Sequence, residues 1–225
     1  MARLPHGYTN RTRRLRDGAI EKTFEGPRRY ERAARELACL QHLGRYVPVP
    51  KVLGYEAEIP RIQISELAGR HGQDLIMEGH ASAVLTLAGR ALAQLQRVPA
   101  TTVPGLAGGG DVIVHGDFGP QNMLFDIDRA EVTGIIDWEF ARAGERIDDL
   151  AWAEWIVRMH QPDSIRHLDV FFSSVGLRPS WNERHVVMIR RCEELLTDSI
   201  SSGDHDAIAR WTERYETTCS WTIRE

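Results

Sequence analysis

One stretch constrains the fold of this 225-residue chain more than any other: residues 111–139, DVIVHGDFGPQNMLFDIDRAEVTGIIDWE. Two apolar runs within it, residues 112–114 and 132–136, read as buried strands. Each ends on an acid-bearing turn. His115-Gly116-Asp117 follows the first run, and Asp137-Trp138-Glu139 follows the second. Between them stand Asn122 and a third short apolar run, Met123-Leu124-Phe125. Strands that bury their side chains but carry Asp117, Asn122 and Asp137 at their ends gather oxygen ligands in one place. Such ligands suit Mg²⁺, a hard cation that takes one or two carboxylates together with phosphate oxygens. Taken singly, each residue has an ordinary reading as a turn former or a strand-end acid.

The spacing narrows the alternatives. His-x-Asp, with Asn five residues after the Asp, is the catalytic-loop pattern of the protein-kinase superfamily. There the Asp handles the substrate hydroxyl and the Asn holds metal. A second Asp after a further strand stands where kinases keep their other metal ligand. The wording HGDFGPQNMLFD followed by IIDWE resembles the aminoglycoside phosphotransferase and choline kinase-like family, whose loop reads HGD-x-x-x-x-N and whose metal Asp sits in an IDW or IDF turn. The resemblance implies a two-lobed α+β, protein-kinase-like fold. Residues 1–68 are expected to form a nucleotide-binding lobe of sheet and helix, and residues 69–225 a mainly helical catalytic and acceptor-binding lobe.

Upstream, Asp17-Gly18 signals a tight turn between two strands of a hairpin, the second running through 19–24. Residues 28–43 carry Tyr30, Ala34, Leu37 and Leu40 at helical spacing, and Gly44 is a good stop. Of the 28 basic residues only Lys22 and Lys51 are lysines. Lys is a compact point charge where Arg is a planar fork, so Lys22 on the strand stands out. The resemblance extends to Lys22, to Glu36 within Arg35–Leu40, and to VPVPKVLGY at 47–55. It implies that Lys22, held by Glu36, neutralises donor phosphate. Ordinary readings also exist: an exposed strand lysine, and a helix acid paired to Arg32.

The family likeness further makes the turn at 7–10 a phosphate-covering loop with Gly7, Thr9 and Asn10, although it is not G-x-G-x-x-G. Glu66-Leu67-Ala68-Gly69 takes the place of the interlobe hinge, with Glu66 and Ala68 near the adenine and Gly69 and Gly72 free to flex. Residues 81–97 form an apolar helix ending in Gln96, where relatives carry His. Asp148-Asp149-Leu150-Ala151-Trp152 resembles a helix start, with Asp149 as a structural cap. Helices are expected at 150–160, 163–175, 181–200 and 204–222.

The resemblance implies phosphorylation of a small-molecule hydroxyl by ATP or GTP. Asp117 would take the hydroxyl proton, and Asn122 and Asp137 would hold Mg²⁺. The acceptor is not legible: an aminoglycoside or another antibiotic, a choline-like amino alcohol and a sugar all stay open. So does a non-catalytic nucleotide-binding protein on the same fold. Acids at Glu139, Glu145, Asp148, Glu193, Glu194 and Asp198 suit a polycation or a solvated face. Trp152, Trp155, Trp181, Trp211 and Trp221 suit helix packing or an aromatic box.

Composition sets the outer limits. The formal net charge of −4 and the short basic cluster at 11–16 argue against a nucleic-acid partner. No apolar stretch is long enough for a membrane span, and the first residues lack a secretory h-region. Three dispersed cysteines with no C-x-x-C fit a reducing cytoplasm, without zinc or a disulfide framework.

Overall fold

The computed structural model describes residues 10–222; the expected phosphate-loop residues Gly7 and Thr9 lie outside that range. The chain begins with an antiparallel sheet in the order β1-β2-β4-β3, built from β1 (Arg11–Arg14), β2 (Ile20–Thr23), β3 (Val52–Glu56) and β4 (Arg61–Ile64). The hairpin turns at Asp17-Gly18, where Gly18 has φ +88°. Asp17 Oδ1 accepts from Ala19 N at 3.0 Å, a local bond that closes the turn. Helix α1 (Arg29–Leu43) forms where expected, but it buries Ala33, Glu36, Cys39, Leu40 and Leu43, while Tyr30 and Ala34 of the expected stripe stay exposed. Sequence periodicity does not reveal β3. It is an edge strand paired with β4, and Leu53 and Tyr55 face solvent, so it carries little alternation to read. Strand β4 stops at Ile64, just short of residues 66–69.

The link that follows is not slack. Gly69 has φ +120°, and a Cβ there would lie 2.3 Å from Thr133 Oγ1. A Cβ on Gly72 would lie 2.5 Å from Phe125 Cε2. Both glycines therefore allow close approach to the backbone and side chains beside them. Thr133 Oγ1 donates to Ala68 O at 2.5 Å, and Glu66 is ion-paired to Arg14. Short elements that sequence periodicity misses, β5 (Arg70–His71) and α2 (Gly72–Met77), lead into α3 (Ala81–Leu95).

The second part of the chain is organised by β6 (Val112–Val114), β7 (Met123–Asp126) and β8 (Glu131–Ile135). Strands β5, β7 and β8 form one small sheet; β6 pairs with β9 (Arg142–Gly144). Helices α4 (Arg146–His160), α5 (Leu168–Val175), α6 (Trp181–Ser202) and α7 (His205–Ser220) complete the fold. The helix expected at 163–175 begins as a 3-10 turn, Pro162–His167, before α5. One apolar core runs from Phe24 and Leu43 through Leu92 and Phe125 to Phe171. A second, built on Trp152, Trp155, Trp181 and Met188, joins α4, α6 and α7. Gln96 is buried and donates to Arg146 O at 2.7 Å, tying the end of α3 to the start of α4. No helix among the described residues is long and apolar enough to cross a membrane.

Candidate active site

The loop after β6 is held from three sides. His115 is fully buried; its Nε2 lies 2.9 Å from Ile136 O, and its Nδ1 accepts from Asp117 N at 3.3 Å. Those partners assign the proton to Nε2. Gly116 has φ +81°, and a Cβ on it would sit 2.4 Å from Phe140 O, so only glycine fits. Asp149 accepts from His115 N at 2.6 Å and Gly116 N at 2.9 Å. The cap expected at Asp149 is thus a clamp on the loop backbone. The start of α4 is secured instead by Asp148, which accepts from Glu145 N at 2.9 Å. Burial pushes the Asp149 carboxyl above its ordinary range despite nearby His115 and those two N–H groups.

Asp117 is half-buried, and both its oxygens have donors. Asn122 Nδ2 lies 2.8 Å from Oδ2 and 2.9 Å from the Asp117 carbonyl oxygen. Trp152 Nε1 donates to Oδ1 from 3.1 Å. Sequence alone reads Trp152 only as core or box; its hydrogen bond to Asp117 crosses 35 positions, and no local pattern signals it. Since Asn122 gives its amide hydrogens to Asp117, its amide oxygen is left for a cation.

Across from this loop, Lys22 Nζ lies 2.5 Å from Glu36 Oε2 and is also ion-paired to Asp137 Oδ1. Lys22 and Glu36 are both buried, so the readings as exposed residues fail. Arg32, the alternative partner for Glu36, pairs with Glu139 at 2.8 Å instead. Burial works against the Lys22 charge, but Asp137, Glu36 and Glu139 outweigh it and raise its pKa. Burial pushes Glu36 up to about 7 even beside Lys22. Desolvation acts on Asp137 in the same sense, yet the Lys22 ammonium holds its carboxyl below the usual range. Asp137 sits at φ 71°, ψ 53°, a left-handed conformation uncommon outside glycine and often found where a site fixes a side chain.

Glu139, read as a possible acid for a polycation, is buried on the Lys22 side. It accepts from Asn10 Nδ2 and Arg32 Nη1, each at 2.8 Å. Asn10 therefore anchors the turn after β8, and its side chain is engaged there. Oxygens of Glu36, Asp137 and Glu139 lie within 4.8 Å of one another. The other candidate acids are mostly tied to arginines: Asp148 to Arg142 and Arg190, Glu194 to Arg191, and Asp198 to Arg28.

Known proteins resemble this chain in sequence and in fold. A sequence profile of the phosphotransferase enzyme family matches residues 1–109 and 103–170. The GDP complex of wild-type aminoglycoside 2'-phosphotransferase-IIIa superimposes with a TM-score of 0.75 at 13% identity, over 96% of this chain and 91% of that one. The gentamicin complex of APH(2")-IIa gives 0.72 at 10% identity, over 98% and 91%. A thermostable aminoglycoside phosphotransferase APH(4)-Ia with ADP and hygromycin B gives 0.69 at 15%, over 98% and 94%. In sequence, the probable acyl-CoA dehydrogenase IBR3 of Arabidopsis thaliana is 31% identical over 118 residues, which is 52% of this chain but 13% of that protein. With a kinase-like α+β fold and a profile match through residue 170, this chain belongs to the phosphotransferase enzyme family.

Proposed function

We propose that the protein transfers the γ-phosphoryl group of ATP or GTP to a hydroxyl of a small molecule. The observation that carries the reading is Lys22, bridged to Glu36 on α1 and to Asp137 beyond β8, opposite an Asp117–Asn122 pair. Lys22 supplies the charge for donor phosphates, and Glu36 fixes its position. Residues 66–68 lie along the adenine side, and the division at 68–69 separates the donor lobe from the acceptor lobe. Asn10 supports the nucleotide turn through Glu139 and does not reach for phosphate with its side chain.

The donor set fits Mg²⁺: the Asn122 amide oxygen and the Asp137 carboxylate are hard oxygen ligands, and Asp137 Oδ2 makes no bond among the described residues. When bound, the ion would neutralise charge on the transferring phosphate. Asp117 accepts the proton as the acceptor oxygen bonds to the γ-phosphorus and the bond to the β-phosphate oxygen breaks. Catalysis of this kind is mainly positioning and electrostatics.

The test pairs two measurements. ATP or GTP with Mg²⁺ should raise the unfolding temperature, because a ligand that binds only the native state stabilises it. Asp117→Asn should keep that shift and cut turnover roughly 10²–10⁴-fold, as for loss of a general base. No metal-dependent shift with either nucleotide favours a protein that does not use nucleotide. Full turnover in Asp117→Asn means that Asp117 is not the base.

A further inference from the structure

The side of Asp117 away from Lys22 is aromatic and basic. Trp152, whose indole N–H meets Asp117, stacks on Trp155 at 4.2 Å with the rings 5° from parallel. Trp211 from α7 continues the group, 5.8 Å from Trp155 and 6.3 Å from Trp152. Cation positions over these rings are already taken. The Arg214 guanidinium lies 4.7 Å from the Trp211 ring and 5.9 Å from Trp155. Arg191 lies 5.9 Å from Trp152, and its Nη2 is 3.4 Å from Gly116 O on the catalytic loop.

The charges there are unevenly matched. Glu194 pairs with Arg191 at 3.1 Å, but at the exposed surface. Arg214 makes no ion pair among the described residues, though Glu213 and the field of Asp117 act on it; Arg210 stands beside it. Glu193 acts near Tyr215. Apart from Asp117 itself, a further acid near these rings, Glu154, is fully buried and held by Arg158 and Arg184, each at 2.6 Å. His160, edge-on to Trp155, has its pKa lowered by burial first and then by Arg214, against the opposing pull of Asp117.

Resting on the phosphotransferase reading, we propose that the hydroxyl acceptor is an anion with a flat apolar or aromatic part, held by Arg214 and Arg191 against Trp211. A half-buried guanidinium without an ion pair among the described residues offers a planar fork to a carboxylate or phosphate. Trp211, half-buried, offers the apolar contact, and Trp152, itself buried against Trp155, sets the distance to Asp117. A polycation brought to the same place meets two guanidinium groups and finds the aromatic cation seats filled, which disfavours it by like charge.

The probes are phenyllactate, the uncharged phenylpropanediol and kanamycin, each with saturating Mg²⁺-nucleotide. Tryptophan fluorescence reads binding, and nucleoside diphosphate release reads turnover. Phenyllactate should bind best, with an affinity that falls as salt rises. Arg214→Gln should weaken it about tenfold or more, the size of one charge-assisted bond. Arg214→Lys should restore part of the loss, and the nucleotide-induced melting shift should stay the same in both variants. Kanamycin turnover, preference for phenylpropanediol, or binding by no probe while the nucleotide shift persists overturns the acceptor assignment. Absence of the nucleotide shift itself instead overturns the phosphotransferase reading.

Discussion

Lys22→Met removes the one cation shared by Glu36 and Asp137, and its cost has a distinctive pH dependence. Glu36 is 2% exposed, and burial has already carried its carboxyl from 4.5 to about 7 with Lys22 only 2.5 Å away. Without the ammonium the opposing influence goes, and the carboxyl rises further. A group whose folded value lies above its unfolded value contributes stability fully below the unfolded value and loses it as pH rises to the folded one. In the parent protein that loss runs from 4.5 and is complete near pH 7. In Lys22→Met it continues above pH 7. Each pH unit in that window adds at most about 1.4 kcal/mol to the difference between the two proteins. Between pH 7 and 9 the gap should widen by up to about 3 kcal/mol, or roughly 6–12 °C in Tm for a chain of this size. Calorimetry of the parent, Lys22→Met, Glu36→Gln and the double variant across this range measures it. The double variant should lose at least half of the extra slope, any remainder coming from Asp137, which also loses its cation. Parallel stability–pH curves for the parent and Lys22→Met would refute the three-residue arrangement.

Two further outcomes follow from the clamp and the indole. Asp149→Asn keeps one acceptor for two backbone donors, at 2.6 and 2.9 Å, so one loop N–H is left facing an amide N–H. The loss is about 2–4 kcal/mol, with the lower end favoured because burying the original charge is itself costly. Thermal melting should fall by roughly 5–15 °C; a change under about 2 °C would contradict the clamp. Trp152→Phe keeps the stacked ring and removes only the donor to Asp117. It should lower kcat about tenfold and leave nucleotide KM unchanged; equal effects on both would point to a general structural role.

Local sequence is enough for the elements that carry strong periodicity or turn chemistry. Helix α3 repeats apolar residues on one face, Asp17-Gly18 fixes the first hairpin, and the run 112–114 is a strand with those bounds. The spacing of His115, Asp117, Asn122 and Asp137 is legible because a strand–loop–strand unit keeps these residues close in sequence as well as in space. What chain order hides is partnership over distance. Lys22 meets Asp137 across 115 positions, Asn10 meets Glu139 across 129, and Trp155 donates to Thr218 across 63. Propensity and periodicity describe a residue's own neighbours along the chain, so they mark Glu139 as an acid and Trp152 as an aromatic. They carry no information on which charge or oxygen each will face. The surroundings of Asp117 show the same division. The acids of the last helices are visible in the sequence, but packing turns arginines onto them and onto the indoles. The sign of the surface beside Asp117 is therefore set by side chains from α6 and α7 that meet only when the tertiary fold closes.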